Sequence, residues 1–371
     1  MLILIDKSLE LQLANICASA PLARLRGVTN LIQAHADSRH IVVAPPSICR
    51  IFEACPRLSE EHRAIARKIR LRFSELAELK NILSLHAEFC IDGHAPVFQL
   101  GVWKIPLEWV ATHGMSETHL ICEDLYDCEI SHEAARDYLN ANDLTRLTLT
   151  LDHTAGGGGN THRVLRQKAI DSQRVSVCVV DSDRADPSDA SPLGPTAANC
   201  AQVSDPGLYE LFISTGRELE NHLPVRLVDK VRALWHGVTP SQAFRKFEEH
   251  CAGLMLFADL KKGTKKRDIE EMTGTAREFW EGAYAALPHC AAQCCAPACT
   301  ADKAGDCKQV VMQSMGRTLL KDARDQLFSD GAQFSPKRYR DYLPSPNDAL
   351  WIEMGGRVAA YGASVKVAAT M

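Results

Sequence analysis

The chain has 371 residues, enough for two or three domains of ordinary size. With 46% hydrophobic and 24% charged residues it can bury a core along most of its length, which excludes a largely disordered tail. Lys and Arg number 42 against 46 Asp and Glu, a net charge of −4, so bulk positive charge cannot coat nucleic acid, although a local basic groove or a phosphate-bridging metal stays open.

No apolar run reaches the ~18 residues of a membrane helix. The opening Met1-Leu2-Ile3-Leu4-Ile5 has no basic lead and meets Asp6 at once, so it reads as a buried strand and not as a signal peptide. The 14 cysteines are spread along the chain, many in apolar settings such as Cys122 and Cys178. Without a secretion signal, the expectation is reduced thiols in the cytoplasm and no membrane partner.

In chain order, residues 1–115 read as an N-terminal α/β unit. The strand Leu2–Ile5 precedes Ser8, a candidate cap for a helix with Leu9, Leu13 and Ile16 on its apolar face, although the alternation from Leu9 to Leu13 equally permits a strand. The run 40–44 stops at Pro45-Pro46 and reads as a second strand. Ser59 is the expected cap of a helix whose apolar face runs Ile65, Ile69, Phe73, Leu76, Leu83. Its Arg63, Arg67, Lys68, Arg70 and Arg72 read first as a solvated face and second as a nucleic-acid contact. Residues 93–117 read as loops.

Residues 116–225 alternate strand and helix. Strands are expected at 119–122, 147–151, 175–180 and 211–214, with helices through Ala134, Ala135 and Leu139 and through Val164, Leu165 and Ile170. That alternation implies right-handed βαβ units, a parallel sheet and helices on both faces. Residues 226–371 read as mainly helical, with no evident strand. They carry the basic stretch Lys261, Lys262, Lys265, Lys266, Arg267.

Carboxylates follow three of these strands: Glu123, Asp124 and Asp127 the first, Asp181 and Asp183 the third, Glu218 and Glu220 the fourth. Ligands of open parallel sheets bind at the carboxyl ends of strands. Acids gathered there repel one another and lose solvent. A hard divalent cation resolves both penalties, and Mg²⁺ or Mn²⁺ keeps water positions open for a substrate phosphate.

Glu123-Asp124-Leu125-Tyr126-Asp127 after Leu120-Ile121-Cys122, and Val179-Val180-Asp181-Ser182-Asp183, resemble the two signature motifs of Toprim domains. That domain is shared by topoisomerases, primases, maturation ribonucleases and overcoming-lysogenization-defect nucleases. Arg217-Glu218-Leu219-Glu220-Asn221-His222-Leu223-Pro224 is similar to a segment of Toprim nucleases from bacterial phage defence. The resemblance covers about residues 118–225. It implies a Rossmann-like Toprim fold and an Mg²⁺- or Mn²⁺-dependent endonuclease acting on DNA or RNA, as an anti-phage effector with a regulatory or sensor partner. Glu123 would be metal ligand or general base, Asp181 and Asp183 would bind Mg²⁺, and Asp127 with Glu220, or Glu218, would complete a second position. The family usually has Gly after the first Glu; here it is Asp124, which bears on cleavage more than on fold.

Between the second strand and its helix, Gly156, Gly157, Gly158, Gly159, Asn160, His162 and Arg163 offer backbone N–H groups and positive charge to a substrate phosphate, or else form a plain connection. No Gly-Lys-Ser/Thr follows, so this is not a P-loop. Cys290, Cys294, Cys299 and Cys307 are dense enough to suggest structural Zn²⁺, or else buried thiols on a helix face. Two alternatives to the nuclease stand: a degenerate Toprim that binds nucleic acid or a partner without turnover, and a phosphohydrolase with Asp181 as covalent nucleophile.

Overall fold

The computed structural model describes residues 1–171, 174–203, 208–232, 239–286, 310–329 and 348–365. The expected zinc group at Cys290, Cys294, Cys299 and Cys307 lies outside the described residues.

The chain is α/β, built on two parallel-rich sheets. The first comprises Leu2–Ile5 (β1), Ile41–Val43 (β2), His86–Cys90 (β3), Val97–Gln99 (β4) and Val102–Pro106 (β5), in the order β2-β1-β3-β5-β4. Its pairings are parallel except β4 against β5. Residues 93–117 are therefore not simply loops: they hold β4, β5 and the helix Leu107–His113. Asp6, not Ser8, begins the first helical segment, accepting from Ser8 N at 2.8 Å to cap a 3-10 turn before the helix Glu10–Ser19. That helix buries Leu13, Ile16 and Cys17 and leaves Leu11 73% exposed, which decides against the strand alternative. Ser59 caps the helix Glu60–Leu71 as expected, through His62 N at 3.2 Å. The helix breaks at Arg72 and resumes as Phe73–Ala77, short of Leu83.

The second sheet starts with Thr118–Cys122 (β6). The single strand expected at 147–151 is divided: Leu147–Leu149 (β7) leaves the sheet, and Leu151–Ala155 (β8) pairs with β6. With Ser176–Val180 (β9) and Tyr209–Ile213 (β10) the order is β10-β9-β6-β8, all parallel. Residues of β6 and β9 are buried on both faces, as the strands of a covered parallel sheet should be. Leu120, Cys122, Val177 and Val179 join the main core. Ile121, Cys178 and Val180, pointing the other way, meet Leu165, Ala197 and Cys200 of the helices Thr161–Asp171 and Pro195–Ala201.

The C-terminal region also contains strands. Thr264–Lys265 (β11) pairs with Val310–Met312 (β12), and Ala363–Val365 (β13) pairs antiparallel with β7. Before β13, the helix Asp348–Gly362 lies on the helix Leu125–Ala141, so close at Gly355 that a Cβ there would come within 2.2 Å of the Ala134 carbonyl oxygen. The boundary expected at 225/226 is thus crossed by packing, and one core runs from Met1 to Val365. The described cysteines are free thiols, most of them buried. No helix among the described residues is long and apolar enough to cross a membrane.

Candidate active site at the strand ends

The order β10-β9-β6 makes the three acid-bearing strand ends direct neighbours. Asp181 N, just past β9, donates to Glu123 Oε1 at 3.3 Å, just past β6. Leu219 N, in the loop after β10, donates to Asp181 Oδ1 at 2.8 Å. These bonds chain three distant segments together through their carboxylates. Lys261 Nζ stands 3.0 Å from Glu220 Oε1 and 3.8 Å from Glu218 Oε2.

Burial pushes the Glu123 carboxyl up, and neighbouring Asp183 and Asp124 push it further. The Asp181 carboxyl is raised well above the carboxylate range by burial and by Glu220, Asp127 and Glu123. Burial, with Asp124, Glu220 and Glu123 facing it, brings Asp127 up to about 7. Glu218 reaches about 7, through burial and Glu220, against the pull of Lys261. Burial works against the Lys261 ammonium, but Glu220 and Glu218 outweigh it and hold the group charged above its ordinary range.

Asp124 has a local task. It is the N-cap of the helix Leu125–Ala141: Asp127 N donates to Asp124 Oδ1 and Asp124 N to Asp127 Oδ2, both at 3.0 Å. Its φ of −136° suits any residue, so no glycine is required. Asp127 therefore combines a cap with its place in the cluster. Asp183 has a φ of +54°, uncommon for a non-glycine residue, and its N–H donates to the Arg217 carbonyl at 2.8 Å. Its carboxylate lies against Gly194, where a Cβ would fall 2.1 Å from Oδ2.

The loop after β10 is fixed from several sides. Ser182 Oγ and Ser214 Oγ each donate to the Gly216 carbonyl at 2.7 Å. Asn221 Nδ2 donates to the Met255 and Ala258 carbonyls at 2.7 and 2.9 Å, and Glu218 N donates to Asn221 Oδ1. Gly216 N donates to His222 Nε2 at 3.0 Å, which leaves the ring proton on Nδ1; burial lowers this histidine to about 4, so the ring is neutral. The sequence offered His222 no such role.

The glycine loop is differently used than its composition suggests. Gly157 N and Gly158 N donate to the Glu123 carbonyl at 2.8 and 3.0 Å, and Gly156 N to that of Cys122 at 2.7 Å. The N–H groups of Gly157 and Gly158 expected to cradle phosphate thus hold the Glu123 backbone, a close approach for which Gly157 adopts φ +79°. His162 Nδ1 lies 3.0 Å from the Gly159 carbonyl, and Thr161 Oγ1 donates to that of Gly158. Gly159, Asn160 and Arg163 sit beside this turn, at the start of the helix Thr161–Asp171. His153 belongs to β8, not to a loop, with Nε2 3.1 Å from His132 Nδ1.

Several cations of the two basic runs have partners. Arg70 and Arg67 pair with Glu53 at 2.5 and 3.5 Å, and Arg72 with Glu75 at 2.9 Å. Arg267 pairs with Glu270 and Glu271, and Lys266 lies 5.9 Å over the Tyr284 ring. Lys261, the first residue of the second run, is inside the acid cluster. No sequence spacing links it to Glu220; only the folded loop does.

In donor chemistry the cluster fits a hard divalent cation: every group is a carboxylate, and buried Glu218 Oε2 and Glu220 Oε2 accept no hydrogen bond. In spacing it is open. Among the described residues no three of these acids converge tightly enough to form a coordination shell, and Lys261 supplies the compensating charge. Compared with known proteins, the chain matches no family model, no curated protein and no solved structure.

Proposed function

We propose that the chain is a metal-dependent nuclease of Toprim type, hydrolysing phosphodiesters of DNA or RNA. One observation carries this reading: three neighbouring parallel strands lead into acid-bearing segments, which are tied by Asp181 N donating to Glu123 and Leu219 N donating to Asp181. Glu123, Asp181 and Asp183 would hold one Mg²⁺ or Mn²⁺, with Asp127, Glu220 and Glu218 toward a second. The chemistry such a cation would supply there is neutralisation of phosphate charge and a lowered pKa for an attacking water. Leu219 N fixes the rotation of Asp181, and the glycine turn fixes the Glu123 backbone. Glu123, its carboxyl raised by burial above the ordinary carboxylate range, would be metal ligand or general base. The resemblance extends the proposal to bacterial anti-phage defence, a regulatory or sensor partner and a cytoplasmic setting.

The test is incubation of the protein with plasmid DNA and with RNA in Mg²⁺ or Mn²⁺. Nicking or cleavage is expected, and Glu123→Gln or Asp181→Asn should abolish it. Cleavage that persists in both variants sinks the assignment.

A second reading, a degenerate Toprim that binds nucleic acid or a partner without turnover, draws on the open spacing of the acids and the cation at Lys261. Mn²⁺ binding by calorimetry with no cleavage of any substrate would favour it. The phosphohydrolase reading is weaker, because its motif wants Thr or Val two residues after the second Asp and here that position is Ala185.

A further inference from the structure

Beside the acid cluster lies a cavity of about 640 Å³ that the reading above does not use. Its walls are the segment entering β11 and the segment leaving β12. They are cross-tied: Thr264 pairs with Met312, Met315 N donates to the Leu260 carbonyl at 2.8 Å, and Ser314 Oγ donates to the Lys261 carbonyl. Gly263, at φ +76°, lets them approach; a Cβ there would come within 2.5 Å of the Met312 carbonyl oxygen. The cavity is thus preformed.

Its lining carries five cationic side chains against two acids, Asp259 and Asp268, in a chain whose net charge is negative. The acids are already engaged. Asp259 Oδ1 accepts from Lys262 N at 2.7 Å, while its Oδ2 is shared loosely by Arg217 at 3.8 Å and Lys262 at 3.7 Å. Asp268 Oδ2 accepts from Lys265 N at 2.6 Å. Arg217 Nε is buried without a hydrogen-bond partner, and among the described residues the exposed Arg317 has no ion-pair partner. Arg217 directly precedes Glu218, and its carbonyl accepts from Asp183 N, so the cavity shares a wall with the carboxylates. Lys261 belongs to both.

We propose that this cavity is an anion site for a backbone phosphate of single-stranded nucleic acid, flanking the phosphate processed at the carboxylates. Arg217 forms its floor; Lys262 and Arg317 are the exposed cations at its rim. The assignment rests on the nuclease reading for its substrate, but binding can be read without cleavage.

The experiment measures fluorescence anisotropy of a short labelled single strand on the full chain in EDTA, across a salt series. Lys262→Ser with Arg317→Ser changes two exposed positions and should leave the melting temperature unaltered. Affinity should fall roughly tenfold, and the salt dependence should flatten by about 1.4, at about 0.7 per phosphate contact for a single strand. Arg217→Gln should weaken binding further. ADP and pyrophosphate are the competitors, and both should displace the strand only weakly. Unchanged affinity and salt slope in the double variant overturn the proposal even if the wild type cleaves DNA. Tight ADP binding with no strand binding also overturns it, assigning the cavity to a free nucleotide. Loss of strand binding in a protein that cleaves nothing upholds the site while sinking the nuclease.

Discussion

Asp127 and Glu218, each raised to about 7 by burial and like charge, make the cluster a proton store at neutral pH. In the unfolded chain both groups ionise near the ordinary carboxylate value of about 4. Between those limits the folded state binds more protons, so the contribution is fully present below about pH 4 and is lost as pH rises through about 7. In EDTA, urea melts should therefore show stability falling from about pH 5 to about pH 8, and Asp127→Asn with Glu218→Gln should flatten the trend. Mn²⁺ should restore stability at the upper end, because metal binding requires the ionised acids. A flat profile in the wild type would exclude this electrostatic account. Lys261→Met leaves buried Glu220 without its cation, at a cost of about 3 kcal/mol that shrinks at low pH where the acids protonate. At this scale the sequence was a partial guide. Glu123, Asp181 and the Glu218–Glu220 pair were legible because each follows a hydrophobic run. Lys261 was not, because a cation's partner is chosen by tertiary folding and leaves no local pattern.

The strands β1, β2, β6 and β9 declared themselves, since burial on both faces writes a largely hydrophobic segment. The errors fall where that signal is weak. β8 carries Asp152, His153 and Thr154 at the sheet edge, partly exposed, and so resembled a loop. The 147–151 alternation hid a division at Thr150, whose N–H donates to the Gly362 carbonyl at 2.8 Å. The glycine turn was visible as a turn, but whether its N–H groups face a ligand or a neighbouring strand depends on sheet order. Between β9 and β10, Gly194 makes a distinct prediction. Its φ of −60° accepts alanine, and the nearest obstacle is Asp183, whose carboxylate and Cβ lie 2.1 and 2.4 Å from the new methyl position. Gly194→Ala should displace Asp183, weaken Mn²⁺ binding measured by calorimetry, and cost about 1–3 kcal/mol through overpacking. In an Asp183→Gly background, which removes the Cβ along with the carboxylate, the same change should cost much less, a non-additivity expected of residues in contact. Equal effects in both backgrounds would show that Gly194 acts elsewhere.

Across the whole molecule, the division into three successive units gives way to one continuous core because the end of the described chain returns to its beginning. The Met1 amino group donates to the Ala363 carbonyl at 2.8 Å, and Trp351 Nε1 donates to Asp137 Oδ2 at 3.1 Å. Such returns are invisible in a linear reading, since β13 is only three residues long and its partner β7 equally short. A single hydroxyl also links the two sheets to the C-terminal helix. Tyr361, buried in the C-terminal helix, donates to Glu210 Oε2 of β10 at 2.7 Å and accepts from Trp103 Nε1 of β5 at 3.0 Å. Both sheets and the C-terminal helix meet there, and Arg357 holds Glu210 from the side at 3.0 Å. Tyr361→Phe keeps the ring and its packing but leaves the buried Trp103 N–H without an acceptor, a loss of about 1–3 kcal/mol. The melting temperature should drop by about 2–4 °C for each kcal/mol. Because the two sheets share this link and one core, tryptophan fluorescence and far-ultraviolet circular dichroism should fall together in a single transition, in wild type and variant alike. Two separated transitions, with only one of them moved by Tyr361→Phe, would mean that the sheets unfold independently and that the hydroxyl binds surfaces which do not depend on each other.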